Sequence, residues 1–67
     1  MEKKIKELIA IGASISANCQ PCLEYHTAKA IEYGANNSEI KSAIEVGKLV
    51  RKGAAAKMDK FVLSINN

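Results

Sequence analysis

The chain has 67 residues, the size of a single small domain spanning 1–67, and such a domain buries only about 60% of the surface that its unfolded chain exposes. Its composition, 48% hydrophobic and 25% charged, excludes the disordered and fibrous classes. Charged residues interrupt every apolar run, so we do not expect membrane insertion. The net charge is +3, but the lysines are scattered along the chain and aromatic residues are few, so we do not expect nucleic-acid binding.

The first helix is predicted from Glu2 to about Ala17, because apolar residues recur there at steps of three and four. The residues of this stripe are Ile5, Leu8, Ile9, Gly12 and Ile15. The N-terminal residues are charged and no clean apolar stretch leads to a cleavage site, so no secretory signal is expected. We therefore expect a cytoplasmic protein.

The second helix is predicted to begin close to Cys19 and to run to Tyr33. Asn18 is a good helix stop or N-cap, and Pro21 suits the first turn of a helix, where its missing N–H would have had no partner. Gly34 then supplies the left-handed position that ends many helices.

The third helix is predicted to be capped by Ser38 after a loop at 35–37, with an apolar face that continues to Ile65. Unbroken, it would be about 42 Å long, whereas a compact chain of this size has a radius of gyration of only about 11 Å. The helix must therefore bend, with Gly53 as the candidate break, or protrude. Its distal apolar residues then need cover from a second subunit, and they are Met58, Phe61, Val62 and Ile65.

Cys19, Gln20, Pro21 and Cys22 form a C-x-x-C motif at the predicted start of the second helix. Free N–H groups and the positive end of the helix dipole stabilise a thiolate, which is the nucleophile in disulfide exchange and in attack on peroxides. The second cysteine can then close an internal disulfide. We predict a reversible disulfide between Cys19 and Cys22.

A histidine and a glutamate are predicted to lie beside this motif. His26 follows Cys22 by one helical turn and can act as its base. If the first two helices form a hairpin that turns near Ala17, Glu7 lies level with His26 and can orient the imidazole. Of the two cysteines, Cys22 is favoured as the activated thiol.

The spacing of these four residues resembles the active-site signature of alkylhydroperoxidase D-like proteins, a branch of the carboxymuconolactone decarboxylase family. In this chain the glutamate is followed by eleven residues, the C-x-x-C motif, three residues and the histidine. The match extends roughly from Glu7 to Val50. It implies an all-α fold of an antiparallel hairpin and a long C-terminal helix, assembled as trimers or hexamers. The catalytic residues that it implies are Glu7, Cys19, Cys22 and His26, acting as a proton relay.

The resemblance also implies a reaction and its partners. In that branch the cysteine pair reduces peroxides or a partner peroxiredoxin, with electrons from lipoyl or thioredoxin-like donors. Family decarboxylases are not expected to use such a pair, so decarboxylation is disfavoured. No cofactor and no metal ligand is assigned.

Three other interpretations stay open on the residues alone. The cysteines could be buried thiols that serve as small hydrophobes. Cys19, Cys22, His26 and Glu7 could instead offer four ligands to zinc, although their spacing is unlike that of common zinc modules. The chain could also be a non-catalytic helical assembly module with a redox or zinc switch at this site.

Overall fold

The fold is all-α, as predicted. A computed structural model of the chain describes residues 1–66, which form α1 (Lys3–Ser16), α2 (Gln20–Glu32) and α3 (Asn37–Asn66), with no strand among them. Helix α1 packs against both other helices and is the central element. Over these residues, no helix is long and apolar enough to cross a membrane.

The turn between α1 and α2 is closed by a left-handed asparagine. Asn18 has a φ of 55° and is the helix stop that the sequence predicts. Its N–H bonds to the carbonyl of Ile15 at 3.1 Å, while the N–H of Cys19 bonds to the carbonyl of Ser14 at 3.0 Å. This is the Schellman pattern, and it satisfies the last carbonyls of α1 without further residues. The N-cap of α2 is Cys19.

Helix α2 ends at Glu32, and Gly34, two residues further on, has the predicted left-handed conformation with a φ of 91°. Helix α3 begins one residue before Ser38, so the predicted cap is wrong. Asn36 caps the helix instead: its Oδ1 accepts the N–H of Glu39 at 2.8 Å, and its own N–H donates to Glu39 Oε1 at 3.0 Å. Asparagine is as good an N-cap residue as serine, and at position 36 it is also followed three residues later by a glutamate that completes the reciprocal pair of hydrogen bonds.

The Asn36 N–H and, next, the Lys4 ammonium hold the pKa of the Glu39 carboxyl below its usual value of 4.5. Lys4 Nζ lies 3.1 Å from Glu39 Oε2, so this ion pair also ties the start of α1 to the start of α3.

The buried core is small and lies where α1 meets the other two helices. Ile11 and Ala30 have no exposed surface and Ile40 is buried beside them. The buried face of α1 carries Glu7, Ile11 and Ser14. The predicted stripe on α1 is therefore wrong in part, because Ile9 is 56% exposed. Because α1 packs against both α2 and α3, its buried face is the one in contact with both helices, and this face includes the polar residues Glu7 and Ser14.

Helices α1 and α3 cross closely at two glycines. A Cβ on Gly47 would lie 2.7 Å from the Cβ of Ile15 and as close to the carbonyl oxygen of Gly12, so no side chain fits there. The Ser16 hydroxyl donates to the carbonyl of Gly47 at 3.2 Å across the same crossing. Gly47 thus permits the close approach of the two helices.

Helix α3 protrudes from the hairpin. Its 30 residues continue through Gly53, so the predicted break there is wrong. The molecule measures 51 × 20 × 20 Å with a radius of gyration of 14.6 Å, well above the value of about 11 Å for a compact chain. Every described residue from 48 to 65 is exposed, including Phe61 at 59%.

Candidate functional site

The two cysteines lie at the start of α2 and form a disulfide with each other. Cys19 is the N-cap in an extended conformation, with a φ of −101° and a ψ of 98°, and its Sγ accepts the N–H of Cys22 at 3.3 Å. Pro21 occupies the first turn. One free N–H group of the helix start is therefore directed at the Cys19 sulfur, and a helix start is an environment that stabilises a thiolate after reduction.

Glu7 and His26 meet across the hairpin. Nδ1 of His26 lies 2.6 Å from Oε1 of Glu7, between residues 19 positions apart in sequence. In the tautomer that carries its proton on Nδ1, the imidazole donates this hydrogen bond to the carboxylate. The predicted hairpin register, with the two residues level, is thus observed. Their catalytic role stays a prediction.

The environments of these two side chains differ. Glu7 is 7% exposed, whereas the imidazole of His26 keeps 31% of its surface open. A buried carboxylate without a partner would be costly, and His26 supplies that partner. With Nδ1 engaged, Nε2 is the ring atom left for a proton exchange with another group. The imidazole of His26 also lies roughly perpendicular to the ring of Tyr25, with ring centroids 5.1 Å apart.

Cys22 and His26 share one face of α2. They are four residues apart on a continuous helix, which places their side chains one turn from each other. Both side chains are partly buried. The hairpin therefore brings Glu7 to His26, and α2 places His26 one helical turn beyond Cys22 of the disulfide.

A small cavity of about 200 Å³ opens beside the disulfide. It is lined by Ser14, Ile15, Asn18, Cys19, Gln20, Leu23 and Arg51. Cys22 is not among the lining residues, so Cys19 is the cysteine that faces this cavity.

Arg51 is the residue at this site that the sequence did not predict. Its guanidinium donates to Asn18 Oδ1 at 3.0 Å and makes a longer contact of 3.5 Å with the carbonyl oxygen of Ile15. In the sequence it stands beside Lys52 as one of several basic residues. No sequence pattern around Arg51 links it to the cysteines, because its neighbours in space lie more than thirty positions earlier in the chain.

No group of three His, Cys, Asp or Glu side chains within residues 1–66 is placed to hold a metal ion. In the disulfide state the two sulfur atoms carry no thiolate charge, so they are not the ligands that zinc prefers.

A larger groove lies elsewhere, between α1 and α3, with a volume of about 670 Å³. Apolar side chains dominate it, among them Ile5, Ile9, Val46 and Val50. None of the four predicted site residues lines it.

Two matches with known proteins bear on the family of this chain. A model of the carboxymuconolactone decarboxylase family matches residues 1–60. A protein of Paracoccus denitrificans, described as uncharacterized protein 4 in cox locus, is 38% identical over 55 residues. That alignment covers 82% of this chain and 50% of the relative, so the chain spans about half of that protein's length. No solved structure matches the chain.

Proposed function

The chain belongs to the carboxymuconolactone decarboxylase family, and on that premise we propose that it is a thiol-dependent oxidoreductase of the alkylhydroperoxidase D-like kind. This family includes both decarboxylases and alkylhydroperoxidase D-like proteins. The observation that carries the choice between them is the buried Glu7 paired with His26, one helical turn from a disulfide at a helix start. An imidazole paired with a carboxylate can accept the proton of a neighbouring thiol and return it later.

In the reduced protein, His26 accepts the thiol proton of Cys22 and Glu7 stabilises the imidazolium that results. A carboxylate within hydrogen-bond distance favours the charged imidazole, and the α2 start favours the charged sulfur. The thiolate and imidazolium therefore form together from two neutral groups. Cys22 is the activated thiol in this scheme because it is the cysteine on the face of His26.

The Cys22 thiolate attacks the terminal oxygen of a hydroperoxide. The O–O bond breaks, Cys22 becomes a sulfenic acid, and the departing alkoxide takes a proton to leave as an alcohol. The thiol of Cys19 then attacks the sulfenic sulfur, which releases water and forms the disulfide. A dithiol donor reduces that disulfide by two successive exchanges and is itself oxidised to a disulfide.

We propose two kinds of partner for this cycle. The first is a thiol electron donor, such as a lipoyl-bearing or thioredoxin-like protein, with a peroxiredoxin as a further protein substrate. The second is the chain itself, as a trimer or hexamer, because the groove between α1 and α3 and the end of α3 leave much apolar surface exposed. The site of action proposed for the chain is the cytoplasm.

Turnover of organic hydroperoxides and of hydrogen peroxide tests this function, with lipoamide, thioredoxin and glutathione systems supplied separately as donors. Cys22→Ser should abolish turnover, and Cys19→Ser should stop the cycle at the sulfenic acid, which dimedone traps. Failure to turn over any peroxide or disulfide would contradict the proposal. Thiol titration and metal analysis of the reduced protein would then show whether the site is a zinc or redox switch instead.

A further inference from the structure

Arg51 and Cys19 share the small cavity beside the disulfide, and the cavity exists in the oxidised state of the protein. That is the state that a reducing thiol meets. We propose that Arg51 is a specificity residue that binds an anionic group of the incoming thiol reductant, and that the reductant attacks the sulfur of Cys19. This inference rests on the proposed function, since it concerns the reductive half of the same cycle.

The charge of Arg51 is available to a ligand. Within residues 1–66, no carboxylate lies within salt-bridge distance of its guanidinium. Its two contacts are both with neutral oxygen atoms, from the Asn18 side chain and the Ile15 carbonyl. A guanidinium has five N–H donors in a planar fork that matches a carboxylate, so donors remain after these contacts.

The direction of the guanidinium is set by the turn that carries the cysteines. Asn18 adopts the left-handed conformation that closes α1, and its Oδ1 holds Arg51 at 3.0 Å. The next residue in the chain is Cys19, which lines the same cavity. The cation and the sulfur are therefore positioned by one short segment and face one space.

The geometry also assigns the order of bond breaking. A thiolate that enters this cavity reaches Cys19, and its attack there forms a mixed disulfide while the Cys19–Cys22 bond breaks. The electron pair of that bond leaves on Cys22, which lies in the first turn of α2 on the face of His26. Because a better-stabilised thiolate leaves faster, this direction of attack is the favourable one. A second thiolate then attacks the reductant's sulfur, releases its disulfide and leaves Cys19 reduced.

Three small thiols that differ in charge test this assignment on the oxidised protein, with no peroxide present. They are 3-mercaptopropionate, 2-mercaptoethanol and cysteamine. The rate of disulfide reduction is measured for wild type and for Arg51→Gln, and the ratio of the two rates cancels the intrinsic reactivity of each thiol. An exposed charge pair contributes up to about 1 kcal/mol, so Arg51→Gln should slow 3-mercaptopropionate by about three- to fivefold. It should leave 2-mercaptoethanol nearly unchanged and should not slow cysteamine.

Lys52→Gln is the matched control, since it removes the same charge from the adjacent position outside the cavity. It should change none of the three ratios. An equal slowing of all three thiols by Arg51→Gln would overturn the proposal, because it would mean that Arg51 only holds the turn. If Arg51→Gln fails to fold, a second measurement uses the wild-type protein alone. The rates of disulfide reduction by 3-mercaptopropionate and by cysteamine are each divided by the rate of the same thiol with the unfolded chain. The ratio of these two normalised rates must fall as ionic strength rises. A preference insensitive to salt would overturn it equally.

The site of attack is read from the same reactions. After acid quenching and alkylation, peptide mass spectrometry should find mercaptopropionate on Cys19 and the alkyl label on Cys22. The reverse pattern would overturn the assignment. These results do not depend on peroxide turnover, so failure of this inference and failure of the proposed function are separate outcomes.

Discussion

Glu7 is a buried carboxylate on a small protein that has little apolar core to spare. Its burial is tolerable because Nδ1 of His26 lies 2.6 Å away, and no buried polar side-chain atom among the described residues lacks a hydrogen bond. A purely structural position would be served more cheaply by an apolar side chain. The burial of this pair is what the proton relay proposed above would require.

The first prediction concerns that pair. Glu7→Gln and His26→Gln should each slow iodoacetamide alkylation of the reactive thiol in the reduced protein near neutral pH. Without the relay the thiolate loses a stabilising partner, so we expect the alkylation rate to fall severalfold, by up to about tenfold. The rate is measured against pH, with the exposed Glu45→Gln as a charge-matched control. Unchanged rates and unchanged pH profiles in both variants would contradict the relay.

The second prediction concerns Glu39 and acid. Its pKa is lower in the folded protein than in the unfolded chain, through the Asn36 N–H and then Lys4. The unfolded chain therefore binds this proton first as pH falls. The stability that the carboxylate contributes is present above the usual value of 4.5 and is lost as pH falls through the lower folded value.

We accordingly expect the difference in unfolding midpoint between wild type and Glu39→Gln to be present at neutral pH and to shrink below about pH 4.5. Urea unfolding followed by circular dichroism across this range measures it. Glu45→Gln should show no such narrowing. A difference that stays constant to low pH would mean that the cap and the Lys4 pair contribute nothing through charge.

At the scale of the elements, two glycines of α3 have opposite roles. Gly47 is buried where α3 crosses α1, and a Cβ there would meet the Gly12 backbone and the Ile15 side chain. Gly53 lies in the protruding half, and a Cβ there would meet nothing within 4 Å. The same substitution therefore tests close packing at one site and helix propensity at the other.

The third prediction is that Gly47→Ala destabilises the fold by about 1–3 kcal/mol, because the helices must separate to admit the methyl group. Gly53→Ala should stabilise it by about 0.5–1 kcal/mol, since alanine loses less backbone entropy in a helix. Thermal unfolding of the two variants gives both values. Equal effects of the two substitutions would show that the crossing is looser than described.

At the scale of the whole molecule, the described chain leaves apolar surface on two sides. One is the groove between α1 and α3, and the other is the end of α3, where Met58, Phe61, Leu63 and Ile65 are each more than half exposed. At about 25 cal/mol per Å² of apolar area, surface of this extent forfeits several kcal/mol in water. That amount is comparable with the whole stability of a small domain. Closed assemblies of identical chains are the common way to recover it.

The fourth prediction follows from that surface. Light scattering should report several times the chain mass of 7.2 kDa, and Phe61→Asp should dissociate or unfold the assembly. Lys60→Asp places the same aspartate about 100° around α3 from Phe61, outside the face that Phe61 shares with Met58 and Ile65 by helical periodicity, and should leave the assembly intact. A folded monomer at micromolar concentration that is indifferent to Phe61→Asp would rule out the oligomer.

Local interactions in the sequence determined most of the helical boundaries. Helix starts and ends depend on hydrogen bonds between residues three to five positions apart, so Asn18 and Gly34 could be assigned from their neighbours alone. The start of α3 was misplaced because Ser38 and Asn36 are both competent caps, and only the pairing with Glu39 selects between them. The meeting of Glu7 and His26 was also predictable, since a tight turn between two helices sets their register by counting.

The tertiary structure decided what depends on how α3 crosses the hairpin. Which face of α1 is buried, with Ile11 at its centre, follows from α1 having a neighbour on two sides. The position of Arg51 over the turn at Asn18 follows from the crossing at Gly12 and Gly47. These contacts join residues more than thirty positions apart, and no local periodicity encodes the angle and offset at which two helices pack. The pairing of the two cysteines could therefore be inferred from the sequence, whereas the cation that faces Cys19 appeared only once the helices were assembled.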